Sequence, residues 1–339
     1  MRIAIWGSGA IGGVVGAGMA AAGEDVLMVD ILPEHVAAMN ERGLLVTHGD
    51  TEQRVLVRAA LPRDVTGTFD VVFLAVKSQF RDDAVTAILP HLGPTSAVVS
   101  LQNGVNEPHI ANHIGAGRTI GCLVDVSSDC VGPGEIQRGR EGNLFVGELD
   151  DRRTARIDEV QRLLALSVRT HVRTNIMGCV WAKVCKGTLD AMTALVDTDA
   201  LVLRAERKYH PIRIQLLREG ILVAAADGVR VEPFAHFDPA PFLDASPAGT
   251  AAAFAVLDEM ARGQAHNNTR VRTGYWRDIV VRKRKTELEY VTGEIVRTGA
   301  LRGVPTPINA LQMKMFEEIE SGRRAMAWKN LDELIAELG

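Results

Sequence analysis

The sequence predicts an α/β domain built on a doubly wound parallel sheet, followed by an all-helical domain. Three observations carry this expectation. Short, fully apolar runs rich in β-branched residues alternate with helical patterns through the first half. A glycine-studded turn joins the first run to the first helix. Past Thr174 the β-rich runs stop and the chain reads as a succession of helices. With 339 residues the chain exceeds one ordinary hydrophobic core, so two domains are expected, residues 1–174 and 175–339.

Taken in order, Arg2–Trp6 is a buried strand and Ala10–Ala22 the helix that follows it. Asp25–Val29 is the second strand, and Pro33–Arg42 a helix with proline at its first position. Leu44–His48 and Arg54–Ala59 flank a His48-Gly49-Asp50 break and read as a hairpin. Val71–Val76, Ala97–Leu101 and Thr119–Val124 are β-rich and apolar, as strands covered on both faces must be. In the second half the spacing predicts helices over 176–195, 208–227, 249–262, about 273–299 and 307–320. A proline-rich irregular connection, Val231–Pro247, falls among them.

Composition narrows the class. The net charge is −4 and hydrophobic residues make up 47%, which points away from nucleic acid or an anionic membrane as the main partner. The four cysteines form no C-x-x-C pair and no histidine pair has zinc-like spacing. They read as reduced thiols of a cytoplasmic protein, and no metal site is expected. Ile3–Gly23 carries no charge and is long enough to imitate a signal peptide or a membrane span. Its seven glycines, at 7, 9, 12, 13, 16, 18 and 23, suit a strand–turn–helix and would weaken a plain apolar helix.

Gly7-Ser8-Gly9-Ala10-Ile11-Gly12 has the pattern G-x-G-x-x-G between a strand and a helix, the context that gives the pattern meaning. The first glycine permits a tight turn, the second lets the backbone approach a pyrophosphate, and the third lets helix and strand pack closely. The helix N-terminus then offers free N–H groups and a positive dipole end to the phosphates. These six residues are therefore the expected cradle of a dinucleotide in a Rossmann-type domain. Asp30 ends the second strand, eighteen residues past Gly12, where a carboxylate accepts bonds from the adenosine ribose hydroxyls of NAD and repels the 2′-phosphate of NADP. No Arg or Lys follows before Arg42, so NAD is favoured over NADP. Capping of the next helix is the alternative role for Asp30. Lys77 and Asn103 sit just past the carboxyl ends of two strands, the edge at which open α/β sheets bind ligands.

Two segments of the second half carry polar residues in apolar helical patterns. In the first, Lys183, Gly187 and Asp190 share one helix face. In the second, Trp276, Val280, Lys283 and Glu287 are expected near one face of a helix. Spacing alone favours two solvated, charge-laced helices.

With these residues assembled, the chain resembles the ketopantoate reductase family over nearly its whole length. The resemblance rests on Gly7-x-Gly9-x-x-Gly12, Val76-Lys77, Gln102-Asn103-Gly104, Trp181-x-Lys183, Lys285-Thr286-Glu287-Leu288-Glu289 and Pro305-Thr306-Pro307-x-Asn309. It implies hydride transfer between a nicotinamide and a 2-oxo acid at the cleft between the domains, with Lys183 as acid/base and Glu287 as its partner. It further implies Lys77 at the cofactor–substrate junction and Asn103 between nicotinamide and substrate. The sequence departs from the family where family members bind the hydroxy acid part of ketopantoate. Gly187 or Thr188, and Asp190, stand where asparagines are expected; Tyr275 stands near the place of a serine; Thr292-Gly293 replaces an asparagine–glycine pair. An aspartate facing a carboxylate substrate is repulsive unless protonated or paired, and Arg277 or Lys186 are the candidates for that pairing. Asp190 and Tyr275, with Asn103, are thus expected to line an altered substrate pocket. Asp30, a departure from members that prefer NADPH, makes NAD the expected cofactor; the apolar faces of the helical half make a homodimer the default; and the expected substrate is a small 2-oxo or 2-hydroxy acid or a related carbonyl compound. Ketopantoate reduction in pantothenate synthesis is the alternative within the class. A dinucleotide sensor without turnover is the alternative outside it, disfavoured because a sensor needs no proton donor.

Overall fold

The computed structural model describes residues 1–139, 141–234, 236–267 and 272–338, and for 264–267 the backbone alone. The chain divides into two compact units, Met1–Ile176 and Met177–Gly339.

Among the described residues twelve strands lie in the first unit: β1 (Arg2–Trp6), β2 (Asp25–Val29), β3 (Leu44–His48), β4 (Thr51–Val55), β5 (Arg58–Ala60), β6 (Phe69–Leu74), β7 (Leu92–Ser100), β8 (Thr119–Asp125), β9 (Ser128–Gly132), β10 (Glu135–Arg138), β11 (Asn143–Glu148) and β12 (Thr170–Val172). Its helices are α1 (Ala10–Ala21), α2 (Pro33–Arg42), α3 (Arg81–Ile88), α4 (Glu107–Ile114) and α5 (Ala155–Ala165). Eight strands form one sheet in the order β12-β11-β8-β7-β6-β1-β2-β5. Among the described residues only the β8–β11 pairing in it is antiparallel. The sheet is covered on both faces. Ile3, Ile5, Met28 and Phe73 enter one apolar cluster, while their neighbours Ala4, Trp6, Val72 and Leu74 enter another. That double burial is why the strands are apolar throughout.

The uncharged N-terminal stretch is β1, the turn and α1. The helical glycines admit close neighbours: a Cβ on Gly16 would lie 2.3 Å from Met28 Sδ, and one on Gly13 2.9 Å from Ile136 Cγ1. No helix among the described residues is long and apolar enough to cross a membrane. Of the four cysteines, Cys122, Cys179 and Cys185 are buried and Cys130 is exposed.

Two expectations for this unit need correction. The hairpin partner of β3 is Thr51–Val55, and Arg58–Ala60 leaves it to pair in parallel with β2. The turn is therefore short and the second arm starts earlier than its polar residues suggested. A second sheet, ordered β4-β3-β10-β9, was not foreseen. Its strands are short and half-exposed, so they lack the apolar run that marks a buried strand.

The second unit holds α6 (Ile176–Leu195), α7 (Ala200–Ala205), α8 (His210–Ala226), α9 (Ala240–Leu243), α10 (Pro247–Asn267), α11 (Gly274–Trp276), α12 (Thr292–Arg302), α13 (Pro307–Glu320) and α14 (Lys329–Ala336). Its core gathers Met192, Leu195, Leu216, Phe316 and Leu331. The Pro305–Asn309 motif has a structural task there. Buried Glu219 of α8 accepts the N–H groups of Ile308 at 3.1 Å and Asn309 at 2.9 Å, and Asn309 Nδ2 at 2.7 Å. A carboxylate so placed satisfies the open N-terminus of α13 and complements its dipole.

The single helix expected over about 273–299 is broken. After α11 comes one π-turn, Arg277–Val281, then an irregular stretch to Glu287 with Lys283 at φ 47°, a 3₁₀ turn at Leu288–Tyr290, and α12. The cause is Asp278. Its carboxylate, nearly buried, accepts from Arg282 at 2.8 Å and Arg284 at 3.0 Å, and its carbonyl accepts the Arg284 N–H at 2.9 Å. The basic run therefore wraps an internal carboxylate, and Trp276, Val280, Lys283 and Glu287 do not share a helix face.

Candidate active site

In the first unit, β7, β6, β1 and β2 are consecutive and parallel, so the loops at their carboxyl ends lie side by side along one edge. These loops carry Asn103, Lys77, the glycine turn and Asp30. The chain leaves β1 for β2 on one side and returns to β6 on the other, the switch point at which such sheets bind ligands.

The three motif glycines have different reasons. Gly7 has φ +97°, and a Cβ there would lie 2.7 Å from Val76 N. A Cβ on Gly12 would lie 2.0 Å from Gly7 O. Around Gly9 a Cβ would meet nothing within 4 Å. Internal packing thus requires the first and third glycines, whereas the second faces open space. Helix α1 behind it has no side-chain cap and no acidic residue in its first turn. Gly9, Ala10 and Ile11 therefore fit the pyrophosphate of a dinucleotide, which needs bare backbone N–H groups and no competing carboxylate.

The turn is anchored from both sides. Gly7 and Ser8 donate their N–H groups to Val29 O at 2.8 and 3.2 Å, and buried Ser8 Oγ donates to the same oxygen at 3.1 Å. His35 of α2, also buried, was missed by sequence reasoning. Its Nδ1 accepts the Gly134 N–H at 2.9 Å, so the proton sits on Nε2, which donates to Ser8 O at 3.0 Å. A lone histidine in a helical pattern carries no signal for this bridge.

Asp30 is half-exposed. Its Oδ1 accepts the Leu32 N–H at 3.1 Å, an Asx turn that leads into α2 without capping it. Cys130 on β9 reports its surroundings: partial burial first, then the charges of Asp30, Asp129 and Glu135, hold that thiol above its ordinary range. Arg42, the first basic residue after Asp30, donates to Pro133 O at 2.9 Å. The carboxyl end of β2 is thus acidic.

The other two loops are knitted together. Asn103 O accepts from Ser78 Oγ at 2.6 Å and from Asn106 Nδ2 at 2.7 Å. Gln102 Nε2 donates to Val76 O at 2.9 Å. These bonds set the backbone that presents half-buried Lys77 and exposed Asn103. Beneath them Glu107 is buried, and Oε2 accepts the Asn106 N–H at 3.1 Å. Burial pushes its carboxyl up to about 7. Neither Glu107 nor the Ser78–Asn106 contact was foreseen.

In the second unit α6 presents half-buried Lys183 with Gly187 and Asp190 on the same face. Thr188 turns the other way. It is buried, its hydroxyl donates to Cys185 O at 2.7 Å, and its carbonyl accepts from Gln312 Nε2 at 3.0 Å. Gly187 is thus the residue that faces the site. A Cβ there would lie 2.6 Å from Val291 Cγ1 and 3.9 Å from Tyr275 Oη, so an asparagine has no room without a shift of Val291. Asp190 is paired, with Oδ1 accepting Arg204 Nη2 at 2.6 Å. The positive charge sought in Arg277 or Lys186 comes from Arg204, fourteen residues on and on the separate helix α7. Lys186 sits 4.6 Å above the Phe234 ring.

Tyr275 joins this group. Burial first, then the charges of Asp190, Glu287 and Asp278, hold its phenol far above the ordinary range, so it serves as a neutral hydroxyl. Glu287 stands in the irregular stretch. Its neighbour Thr286 is tied to Glu320 Oε1 through its N–H at 2.9 Å and its hydroxyl at 2.7 Å. The structure thus places Asp190 and Glu287 each within electrostatic range of Tyr275, and a Cβ on Gly187 would lie 3.9 Å from the Tyr275 hydroxyl.

A bare-backbone cradle at a sheet switch point, with a lysine and an aspartate on one face of a helix in the second unit, suits an oxidoreductase that uses a nicotinamide dinucleotide and acts on CH–OH groups, and the comparisons show that class. Two models of one family match the chain in order, "Ketopantoate reductase PanE/ApbA" over residues 3–151 and its "C terminal" part over residues 175–320. The chain belongs to the ketopantoate reductase family. It is 28% identical over 315 residues to the 2-dehydropantoate 2-reductase of Pyrococcus abyssi, covering 92% of this chain and 95% of the relative. The crystal structure of a PanE/ApbA family ketopantoate reductase from Ralstonia eutropha superposes with a TM-score of 0.77 at 25% identity, covering 96% of this chain and 100% of that one. The fold is shared with D-mandelate dehydrogenase in ternary complex with NADH and anilino(oxo)acetate, with a TM-score of 0.80, 22% identity and coverage of 96% and 100%.

Proposed function

We propose that the protein is an NAD(H)-preferring dehydrogenase that interconverts a 2-oxo acid other than ketopantoate with its 2-hydroxy acid. The observation that carries this reading is the Asp190–Arg204 ion pair on the face of α6 that bears Lys183. An ion pair and a glycine stand where family members are expected to present amides, so the catalytic lysine is kept and the substrate contacts are altered.

A bound nicotinamide would supply or receive the hydride. Gly7–Gly12 would hold the pyrophosphate, Asp30 the ribose hydroxyls, and Lys77 the junction toward the substrate. Lys183 donates a hydrogen bond to the substrate carbonyl and gives its proton to the oxygen as negative charge develops there; in the other direction it takes the hydroxyl proton. Glu287 keeps Lys183 charged and directed. Asn103, Asp190 and Tyr275 orient the substrate. The acidic ribose end around Asp30 supports NAD, because a 2′-phosphate there meets several carboxylates. D-Mandelate dehydrogenase, which shares the fold, was crystallised with NADH. We further propose a cytoplasmic homodimer; exposed Leu222 and Leu301 on α8 and α12 support a covered face, and light scattering reads the mass.

The test is turnover of ketopantoate and a panel of 2-oxo acids with NADH and NADPH side by side, in the wild type and Lys183→Ala. The expected result is NADH-dependent turnover of another 2-oxo acid, with kcat lowered ~10²–10⁴-fold in the variant and NADH affinity kept. Rapid ketopantoate reduction with NADPH overturns the substrate and cofactor assignments. Turnover unaffected by the substitution removes Lys183 from the chemistry.

A further inference from the structure

Two residues of the first unit stand against their local preference. Arg81 opens α3, where the positive end of the helix dipole disfavours a cation, and it is only 7% exposed. Asn106 immediately precedes α4, a place where an asparagine side chain ordinarily bonds the first N–H groups of its helix. Here it makes no such bond, and it is buried. Residues that break a local rule mark places where a non-local task is served.

The task here is the pair of loops that carry Lys77 and Asn103. A guanidinium only donates, so Arg81 Nη1, 3.2 Å from Asn106 Oδ1, fixes which end of the amide faces it. The amide nitrogen then points the other way. Nδ2 donates to Asn103 O at 2.7 Å and to Ser78 Oγ at 3.2 Å. Ser78 Oγ gives its own proton to Asn103 O at 2.6 Å, and so it meets that nitrogen as an acceptor. A reversed amide would set its oxygen against Asn103 O, with no hydrogen between them. Arg81 is held at its other edge by Asp82, with Nε on Oδ1 at 2.9 Å and Nη2 on Oδ2 at 3.2 Å. The order of contacts runs from exposed Asp82 through buried Arg81 and Asn106 to both loops.

We propose that Arg81 and Asn106 are positioning residues for hydride transfer: by orienting one buried amide they set the spacing of the Lys77 and Asn103 loops beside the nicotinamide. This rests on the reading that those two loops flank the cofactor–substrate junction. A misplacement of about 1 Å there is enough to cost ~10²-fold in rate, so a contact remote from the reacting atoms carries weight.

The test compares wild type with Arg81→Met, Asn106→Ala, their double variant, and Arg81→Lys, which keeps one donor for Asn106 Oδ1. In the protein alone, hydrogen–deuterium exchange over 76–79 and 102–106 is expected to quicken in Arg81→Met and Asn106→Ala, while β1 and α1 keep their protection. With NADH or NADPH, whichever binds more tightly, Kd is expected to change little because the glycine turn is untouched. The fluorescence lifetime of the bound nicotinamide is expected to shorten. With the 2-oxo acid turned over fastest, kcat is expected to fall ~10-fold or more at nearly constant KM for the dinucleotide. The double variant is expected to lose no more than Asn106→Ala alone, since one residue acts through the other, and Arg81→Lys to recover part of the loss. Exchange and lifetime unchanged in Arg81→Met, losses in kcat that multiply in the double variant, or a lowered Tm with kcat intact each overturn the proposal. Lys77→Ala and Asn103→Ala separate it from the reading beneath it. If these leave lifetime and kcat unaltered, the loops do not flank the nicotinamide and both fall. If these lower kcat and Arg81→Met does not, only the positioning role falls.

Discussion

His35 Nε2 donates to the carbonyl oxygen of Ser8 at 3.0 Å, so a helix that touches no motif residue in sequence holds the dinucleotide turn in place. The other ring nitrogen takes the Gly134 N–H of the second sheet, and one imidazole therefore ties α2, the turn and the β9–β10 hairpin together. His35→Leu leaves both partners buried and unbonded, at a cost of about 1–3 kcal/mol for each. A lower Tm and NADH binding weakened ~10-fold or more are expected from thermal melts and fluorescence titration. Unchanged affinity would show that the turn holds its shape without the bridge.

The second and third glycines of the motif separate folding from binding. Gly9→Ala adds a Cβ that meets no protein atom within 4 Å, so Tm is expected to change little. The same methyl obstructs the approach of a pyrophosphate, and NADH affinity should fall by ~10-fold or more. Gly12→Ala puts its Cβ 2.0 Å from Gly7 O, a backbone clash that costs stability even without cofactor. Equal Tm losses in the two variants would refute the distinction.

On the proposed reading Asp30 governs the choice of dinucleotide through charge. Replacing Asp30 by Ser and Ile31 by Arg removes one carboxylate from an acidic corner and adds a guanidinium for a 2′-phosphate. The ratio of NADPH to NADH affinity is expected to rise ~10²-fold. A wild type that already prefers NADPH would contradict the premise.

Glu107 makes stability depend on pH. Its carboxyl is raised by burial to about 7 from an ordinary 4.5, so the folded state binds a proton that the unfolded chain has released. The contribution is fully present below pH 4.5 and is lost as pH rises through 7. Glu107→Gln keeps an acceptor for the Asn106 N–H and cannot ionise. The Tm of the variant relative to wild type is therefore expected to rise between pH 5 and pH 8, by the equivalent of a few kcal/mol in stability. A difference that does not vary with pH would mean that Glu107 stays in one protonation state.

Much of this protein is written locally. The strand–turn–helix over Arg2–Ala21, the apolar strands at Phe69–Leu74 and Thr119–Asp125, and the long helices α6 and α13 follow from periodicity and turn chemistry over a few neighbours. So do the glycine cradle, Asp30 at its strand end, and the shared face of Lys183, Gly187 and Asp190. What the tertiary structure alone decided lies between segments distant in sequence. The second sheet forms from short, half-exposed strands that pair Leu45 with Glu135. The basic run at 282–284 leaves the helix because Asp278 gathers two of its arginines. Asp190 acquires Arg204, and Ser8 acquires His35, across separate helices. Local sequence sets backbone preference and which face is apolar, because those depend on near neighbours. The partner of a buried charge or a polar ring is set by which elements pack together, since removal from water makes that pairing obligatory and the chain's path alone decides who is within reach.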